Sequence, residues 1–297
     1  MFEGCYTALI TPFSGGSVDY GSLARCIEFQ IANGVSGVVP CGTTGESATL
    51  SEDEHREVIE FTIRTVKGRI KVLAGTGSNC TETSIRLTRH ARAAGADGAL
   101  LITPYYNKPT QEGLYQHYRT VAEACDIPIV LYNVPGRTSV NLLPETVARL
   151  AADCKNIVGL KDATGSLAQA SETLERIGNR EFDLLSGEDG IVLPILAIGG
   201  KGVISVFSNI APRSMSDLVS AWNAGDLAGA RALHLSHLDL CRCLFIETNP
   251  VPVKTAASVL GYCREDLRLP LVPMGSANKQ RLFASMKAFG LPVREVE

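Results

Sequence analysis

The chain has little that would tie it to nucleic acid, a membrane or an oxidising compartment. Lysines and arginines number 28 against 31 aspartates and glutamates, a net charge of -3, so no basic surplus is available to follow a phosphate backbone. The opening stretch MFEGCYTALITPF has neither the basic nor the apolar region of a signal peptide, and no apolar run reaches the ~18 residues of a membrane span. These absences predict a cytoplasmic protein with no nucleic-acid and no membrane partner. Nine cysteines occur, but they are scattered (Cys5, Cys26, Cys41, Cys80, Cys125, Cys154, Cys241, Cys243, Cys263), odd in number and free of C-x-x-C pairs. They are expected to be reduced and mostly buried as small hydrophobes. Also missing are the G-x-G-x-x-G, P-loop, G-x-S-x-G and H-E-x-x-H motifs, the usual sequence marks of dinucleotide, nucleotide, serine-hydrolase and zinc sites.

What is present is an alternation. Eight short apolar, β-branched runs, Tyr6–Ile10, Gly37–Pro40, Val72–Ala74, Ala99–Ile102, Ile129–Tyr132, Ile157–Leu160, Asp183–Leu185 and Val203–Val206, are separated by segments long enough for crossover helices. Parallel strands need such crossovers, because a tight hairpin cannot join them. In the first helical segment Leu23, Ile27 and Ile31 recur at four-residue spacing and Gly34 stands where a helix stops. The second opens at Ser51 with acids in its first turn and closes at Lys67 and Gly68, matching both ends of the helix dipole. ANGVSGVV (32–39) and AAGADGALL (93–101) echo each other, and GGKGVISV (199–206) does so more loosely. The pattern predicts a (β/α)8 TIM barrel over residues 1–222 and a C-terminal helical extension over 223–297. An open doubly wound sheet is disfavoured because TPFSGGSVD, after the first strand, is not a phosphate-binding turn.

Barrel chemistry gathers at the C-terminal ends of the strands. There the sequence places CGTTGES, TPYYNKP, YNVPGRT, KDATGS, SGED and SVFSN. Lys161 is the key residue, since it closes the apolar run IVGLK. A desolvated ammonium tends to lose its proton, which would leave an amine able to form a Schiff base with a carbonyl. The alternative is a strand-end lysine paired with a carboxylate such as Asp162, although side-chain alternation points that residue the other way. Tyr132 ends the preceding strand and could shuttle protons, or could simply be a half-buried tyrosine bonded to backbone. Thr43 and Thr44 sit in a Gly-flanked turn able to bind a carboxylate or to cap backbone groups. Arg137 offers a planar fork for a carboxylate, or is a solvated surface arginine. His234, His237 and Cys241 share one helix face, but the surrounding leucines favour packing over a metal site.

Taken together, GTTGES, PYYNKP, YNVPGRT, GLKDAT, GKGVISV and ETNPVPVK resemble the dihydrodipicolinate synthase family of pyruvate-dependent class I lyases, from about Cys5 to the final helix. The resemblance implies condensation of pyruvate with L-aspartate 4-semialdehyde in the diaminopimelate route to lysine. It implies no cofactor and no metal. Lys161 would form the Schiff base and Tyr132 would give and take the proton. Thr43 would complete a relay with Tyr106 of a neighbouring subunit, so at least a dimer is implied, and usually a homotetramer built from dimers. Thr44, Gly187 and the backbone at Ile204 would hold pyruvate, and Arg137 the carboxylate of the aldehyde.

Ala48, His55, Asn79 and Tyr105 match the family's allosteric lysine site. Glu52 stands where a histidine is common, however, and Thr83 where lysine-sensitive members carry a glutamate. Glu82 is only a displaced candidate to replace it. Losing that carboxylate removes a charge-assisted bond, so weak or absent inhibition by lysine is expected. Rival readings are another pyruvate lyase on the same scaffold (an N-acetylneuraminate lyase or a 2-keto-3-deoxy sugar acid aldolase) and a non-catalytic keto-acid sensor. The sensor would be expected to lack Lys161 or Tyr132. A pyridoxal phosphate enzyme would also need a phosphate-cradling turn.

Overall fold

The apolar runs do what their composition asks, pairing side by side into a ring that hides both of their faces. The computed structural model describes residues 1–293; residues 294–297, the tail of the expected extension, lie outside the described residues. The eight barrel strands are β1 (Gly4–Ala8), β2 (Gly37–Val39), β3 (Lys71–Gly75), β4 (Gly98–Ile102), β5 (Ile129–Asn133), β6 (Ile157–Asp162), β7 (Asp183–Ser186) and β8 (Gly202–Ser205). All pair in parallel, each with its sequence neighbours, and β1 closes the ring on β8 through Gly4 opposite Gly202. The expected (β/α)8 architecture is therefore present.

The strand ends differ from the expected runs by up to two residues, and two differences shape the N-terminal end of the fold. Strand β1 begins and ends two residues early, because Leu9 and Ile10 are buried but lie beyond the ladder. A small antiparallel hairpin, Phe13–Ser14 against Ser17–Val18, follows β1 and carries Phe13 under the C-terminal extension.

The outer helices are α1 (Tyr20–Ala32), α2 (Glu52–Val66), α3 (Thr81–Ala94), α4 (Gln111–Ala124), the one-turn α5 (Pro135–Thr138), α6 (Pro144–Asp153), α7 (Leu167–Ile177), α8 (Val192–Ala197) and α9 (Pro212–Asn223). Helix α1 starts at Asp19, whose carboxylate accepts the Ser22 N–H, and turns Leu23 and Ile27 fully inward, with Ile31 half-buried. Helix α2 starts with a reciprocal cap. Ser51 Oγ accepts the Glu54 N–H at 3.2 Å, and the Glu54 carboxylate accepts the Ser51 N–H at 2.9 Å. Such an N-cap stabilises a helix by about 1 kcal/mol. Lys67 ends α2 in the left-handed region at φ 51°.

After α9 come α10 (Leu227–Cys243), α11 (Val251–Val259) and α12 (Ser276–Ala288). Helix α10 packs on α9, and α12 packs on both α10 and α11. The N-terminal end of α11 reaches the mouth of the barrel. Seven of the nine free cysteines are buried, Cys80 is exposed and Cys263 is intermediate. Among the described residues no helix is long and apolar enough to cross a membrane.

Candidate active site

Strands β5 and β6 run in parallel register with Tyr132 directly opposite Lys161, so both side chains leave the same face at the C-terminal end of the barrel. Each is nearly buried, with 7% of Tyr132 and 6% of Lys161 exposed. The Lys161 Nζ lies 4.1 Å from the centre of the Tyr132 ring. None of the ion pairs among the described residues involves Lys161. Asp162 turns away, as alternation requires. Its Oδ1 accepts the Thr164 N–H at 2.8 Å and the Thr164 hydroxyl at 2.6 Å, and burial pushes its carboxyl above the usual range.

A cavity of about 410 Å³ opens over these two residues, with Thr43, Thr44, Arg137, Gly187, Asp189 and Asn249 in its walls. The two threonines ride on the turn after β2. That turn is bracketed by two non-glycine residues in the left-handed region, Cys41 at φ 55° and Glu46 at φ 53°, a conformation costing roughly 1–2 kcal/mol per residue. Gly187 is required by close approach. Its N–H donates to the Asp162 carbonyl at 2.6 Å, and a Cβ there would stand 2.7 Å from Ala163 Cβ. Arg137, on α5, donates through Nη2 to the Asn249 carbonyl at 3.2 Å.

Three expected residues are not among those lining the cavities at the barrel mouth. Ile204 is buried within β8, and the cavity wall near that strand is formed by Val206. Tyr106 lines neither of the large cavities; it is 90% exposed and left-handed at φ 67°. Asn79 contributes a carbonyl that accepts Asn107 Nδ2 at 2.9 Å.

A second cavity of about 520 Å³ adjoins the first across Gly42, Thr43, Tyr132, Arg137 and Asn249. Ala48, His55 and Tyr105 line it, together with Glu52 and Thr83. His55 Nε2 contacts the Gly75 carbonyl at 2.7 Å, and burial keeps its imidazole below the ordinary range. The Glu52 carboxylate is already taken. Arg86 grips both of its oxygens at 2.7 Å, Arg56 adds a third contact, and the Arg86 bond holds the carboxyl below its ordinary range.

Several site residues carried no sequence signal of their role. Asn249 donates through Nδ2 to Thr44 Oγ1 at 2.9 Å, leaving the Thr44 hydroxyl proton free to point at a ligand. Asp189, recognised only as part of SGED, is buried. Its Oδ2 accepts the Val206 and Phe207 N–H groups at 3.0 Å, and burial raises its carboxyl while Ser205 and those amides oppose the rise. Leu238, Cys241, Arg242 and Phe245 form the outer wall. Helical periodicity alone cannot say which cavity a face covers. His237 bonds Ser214 Oγ at 2.7 Å and packs between Phe207 and Phe289, so this part of α10 is a packing face.

A sequence profile of the dihydrodipicolinate synthetase family matches residues 1–289. The 4-hydroxy-tetrahydrodipicolinate synthase of Pelobacter propionicus is 57% identical over 291 residues, which span 98% of this chain and all of the relative. The crystal structure of dihydrodipicolinate synthase from Aquifex aeolicus superposes with a TM-score of 0.97 at 49% identity, covering 99% of this chain and 100% of that one. A dihydrodipicolinate synthase variant described as monomeric is 45% identical with a TM-score of 0.95, covering 98% of this chain and 97% of its own.

Proposed function

Because the chain belongs to the dihydrodipicolinate synthetase family, we propose that it condenses pyruvate with L-aspartate 4-semialdehyde to give 4-hydroxy-tetrahydrodipicolinate, in the diaminopimelate route to lysine in the cytoplasm. The observation that carries this reading is the buried, unpaired Lys161 amine facing the Tyr132 ring in one cavity with Thr44 and Arg137.

The Lys161 amine adds to C2 of pyruvate. Tyr132 passes a proton to the carbinolamine oxygen, which leaves as water, and an imine remains. Loss of a proton from C3 gives the enamine, whose C3 bonds to the aldehyde carbon of the second substrate. The resulting alkoxide takes up a proton. The amino group of that substrate then attacks the imine carbon, closes the six-membered ring and releases Lys161 as a free amine. One water is lost overall. Thr44 and the backbone at Gly187 hold the keto acid, and the Arg137 fork takes the carboxylate of the aldehyde.

Thr43 lines the cavity next to Tyr132, and Tyr106 stands clear of its own chain. Their relay is therefore completed between subunits, within a homotetramer built from dimers. Mixing a Lys161→Ala protein with a Tyr106→Phe protein restores part of the activity if the tyrosine crosses. Lysine is a weak inhibitor at most, since Thr83 brings no charge to the second cavity and the Glu52 carboxylate is held by Arg86. Half-inhibition at micromolar lysine would refute that.

The reading is tested by borohydride reduction in the presence of pyruvate, with peptide mapping, beside a coupled condensation assay. The expected result is a three-carbon adduct on Lys161 alone together with turnover of the semialdehyde. An adduct at any other lysine overturns the mechanism. A labelled enzyme that ignores the semialdehyde yet cleaves a sugar acid points to the other pyruvate lyases.

A further inference from the structure

One buried ion pair has no part in the chemistry above. Lys254 Nζ and Glu46 Oε1 meet at 2.5 Å across 208 residues of sequence, with both side chains buried. The second Glu46 oxygen accepts the Arg268 N–H at 3.3 Å. The Phe13 ring lies 4.0 Å from Lys254 Nζ, and the Arg268 guanidinium packs over the same ring at 4.3 Å. Burial draws the Lys254 ammonium down, and Glu46 draws it back up.

A buried pair is a poor device for stability alone, because apolar residues of similar volume commonly do as well. It is a good device for fixing a distance. Glu46 is the left-handed residue that ends the Thr43–Thr44 turn. Lys254 lies on α11, one turn beyond Asn249, which bonds Thr44 through its side chain and Arg137 through its carbonyl. The turn after β2 and the start of α11 are therefore joined twice, once by Asn249 and once by the ion pair.

We propose that the Glu46–Lys254 pair is a positioning device for the active site: it sets the turn carrying Thr43 and Thr44 at a fixed distance from the segment carrying Asn249, and so aligns the Thr44 hydroxyl that holds the keto acid with the Arg137 fork. This rests on the functional reading above. A displacement of about 1 Å in such a site can cost a hundredfold in rate, so the pair acts on catalysis while touching neither substrate.

The test uses the full-length protein and the Glu46→Gln/Lys254→Met double variant, which removes both charges at similar volume and should keep the fold. Glu46→Gln alone is the second variant, and Leu150→Ala, a core truncation in α6, is the stability control. The readouts are the melting temperature, the pyruvate concentration giving half-maximal borohydride trapping at Lys161, and KM and kcat for both substrates. In the double variant, half-maximal trapping should need about tenfold more pyruvate and kcat/KM for the semialdehyde should fall about tenfold or more; Glu46→Gln, which leaves the buried Lys254 ammonium without its counter-charge, should shift at least as far and melt lower than the double variant. Leu150→Ala should melt lower with unchanged pyruvate half-saturation. A folded double variant with wild-type values overturns the proposal, and so does an equal rise in Leu150→Ala. Absence of trapping in the wild-type protein overturns the functional reading instead, and the proposed role of the pair with it.

Discussion

Replacing Gly187 by alanine tests how tightly the floor of the site is built. An added Cβ would lie 2.7 Å from Ala163 Cβ, 3.0 Å from the Asp162 carbonyl oxygen and 3.1 Å from the Ala163 nitrogen. None of these is the loose end of a flexible side chain. Ordinary contact begins near 3.4 Å, so the Asp162–Ala163 backbone must retreat by roughly 0.7 Å, an overpacking strain of about 1–3 kcal/mol. In a chain of this size class each kcal/mol is worth roughly 2–4 °C, so the melting temperature should fall by about 2–12 °C. The same displacement reaches the Lys161 amine. Leu185 and Ser186 pair with Lys161 and Asp162, and the strained contact sits one residue beyond that ladder. A shift of this size should lower kcat/KM by about 10–100-fold, or roughly 1.4–2.7 kcal/mol of transition-state stabilisation. Differential scanning calorimetry gives the first quantity and a coupled condensation assay the second. A Gly187→Ala protein that melts within 1 °C or so of wild type and keeps kcat/KM within about twofold would show that the floor is not a close-packed backbone contact.

Three further outcomes follow from the same geometry. Tyr132→Phe keeps the ring against Lys161 but removes the hydroxyl, so kcat should drop by about 10²–10⁴ with little change in melting temperature; a loss under tenfold would remove Tyr132 from the proton transfers. Arg137→Ala deletes a charged donor typically worth about 1.5–3 kcal/mol, so KM for the semialdehyde should rise roughly 10–100-fold while pyruvate trapping is unchanged; an unaltered semialdehyde KM would refute its role. Burial holds the His117 imidazole down at about 4 from an ordinary 6.5, so the unfolded chain takes up a proton at higher pH than the folded one. That contribution is fully present above pH 6.5 and is lost as the pH falls toward 4, by about 1.4 kcal/mol per pH unit at most. Melting curves between pH 7 and 5 should show the decline, and His117→Gln should make it shallower; an unchanged slope would sink the argument.

The sequence made the strands and their order legible because apolar runs that alternate with capped, periodic helices admit few arrangements. It misplaced strand ends where burial and hydrogen bonding part company. Leu9 and Ile10 are as apolar and as buried as the strand before them but continue past the ladder, and Val206 leaves β8 because its N–H goes to the Asp189 carboxylate. Lys161 was legible because a charged residue ending an apolar run is a physical anomaly. The partners that shape its surroundings were not. Asn249 meets Thr44 across 205 residues and Lys254 meets Glu46 across 208, and no local pattern encodes a contact of that span. Likewise, the leucines of α10 announce a packed face without saying that Leu238 and Phe245 would wall the cavity. A single chain leaves Tyr106 in solvent, so the role proposed for it rests on the resemblance alone.

The seam between β1 and β8 sets a timetable for biosynthesis. Gly4 finds its partner only when Gly202 has been made, and a ribosome adding 5–20 residues each second needs roughly 10–40 s to reach that point. Until then the N-terminal strand has one neighbour and one raw edge, the kind of surface on which chaperones and aggregation compete. The nascent polypeptide is thus most vulnerable early and becomes self-sufficient only late in translation.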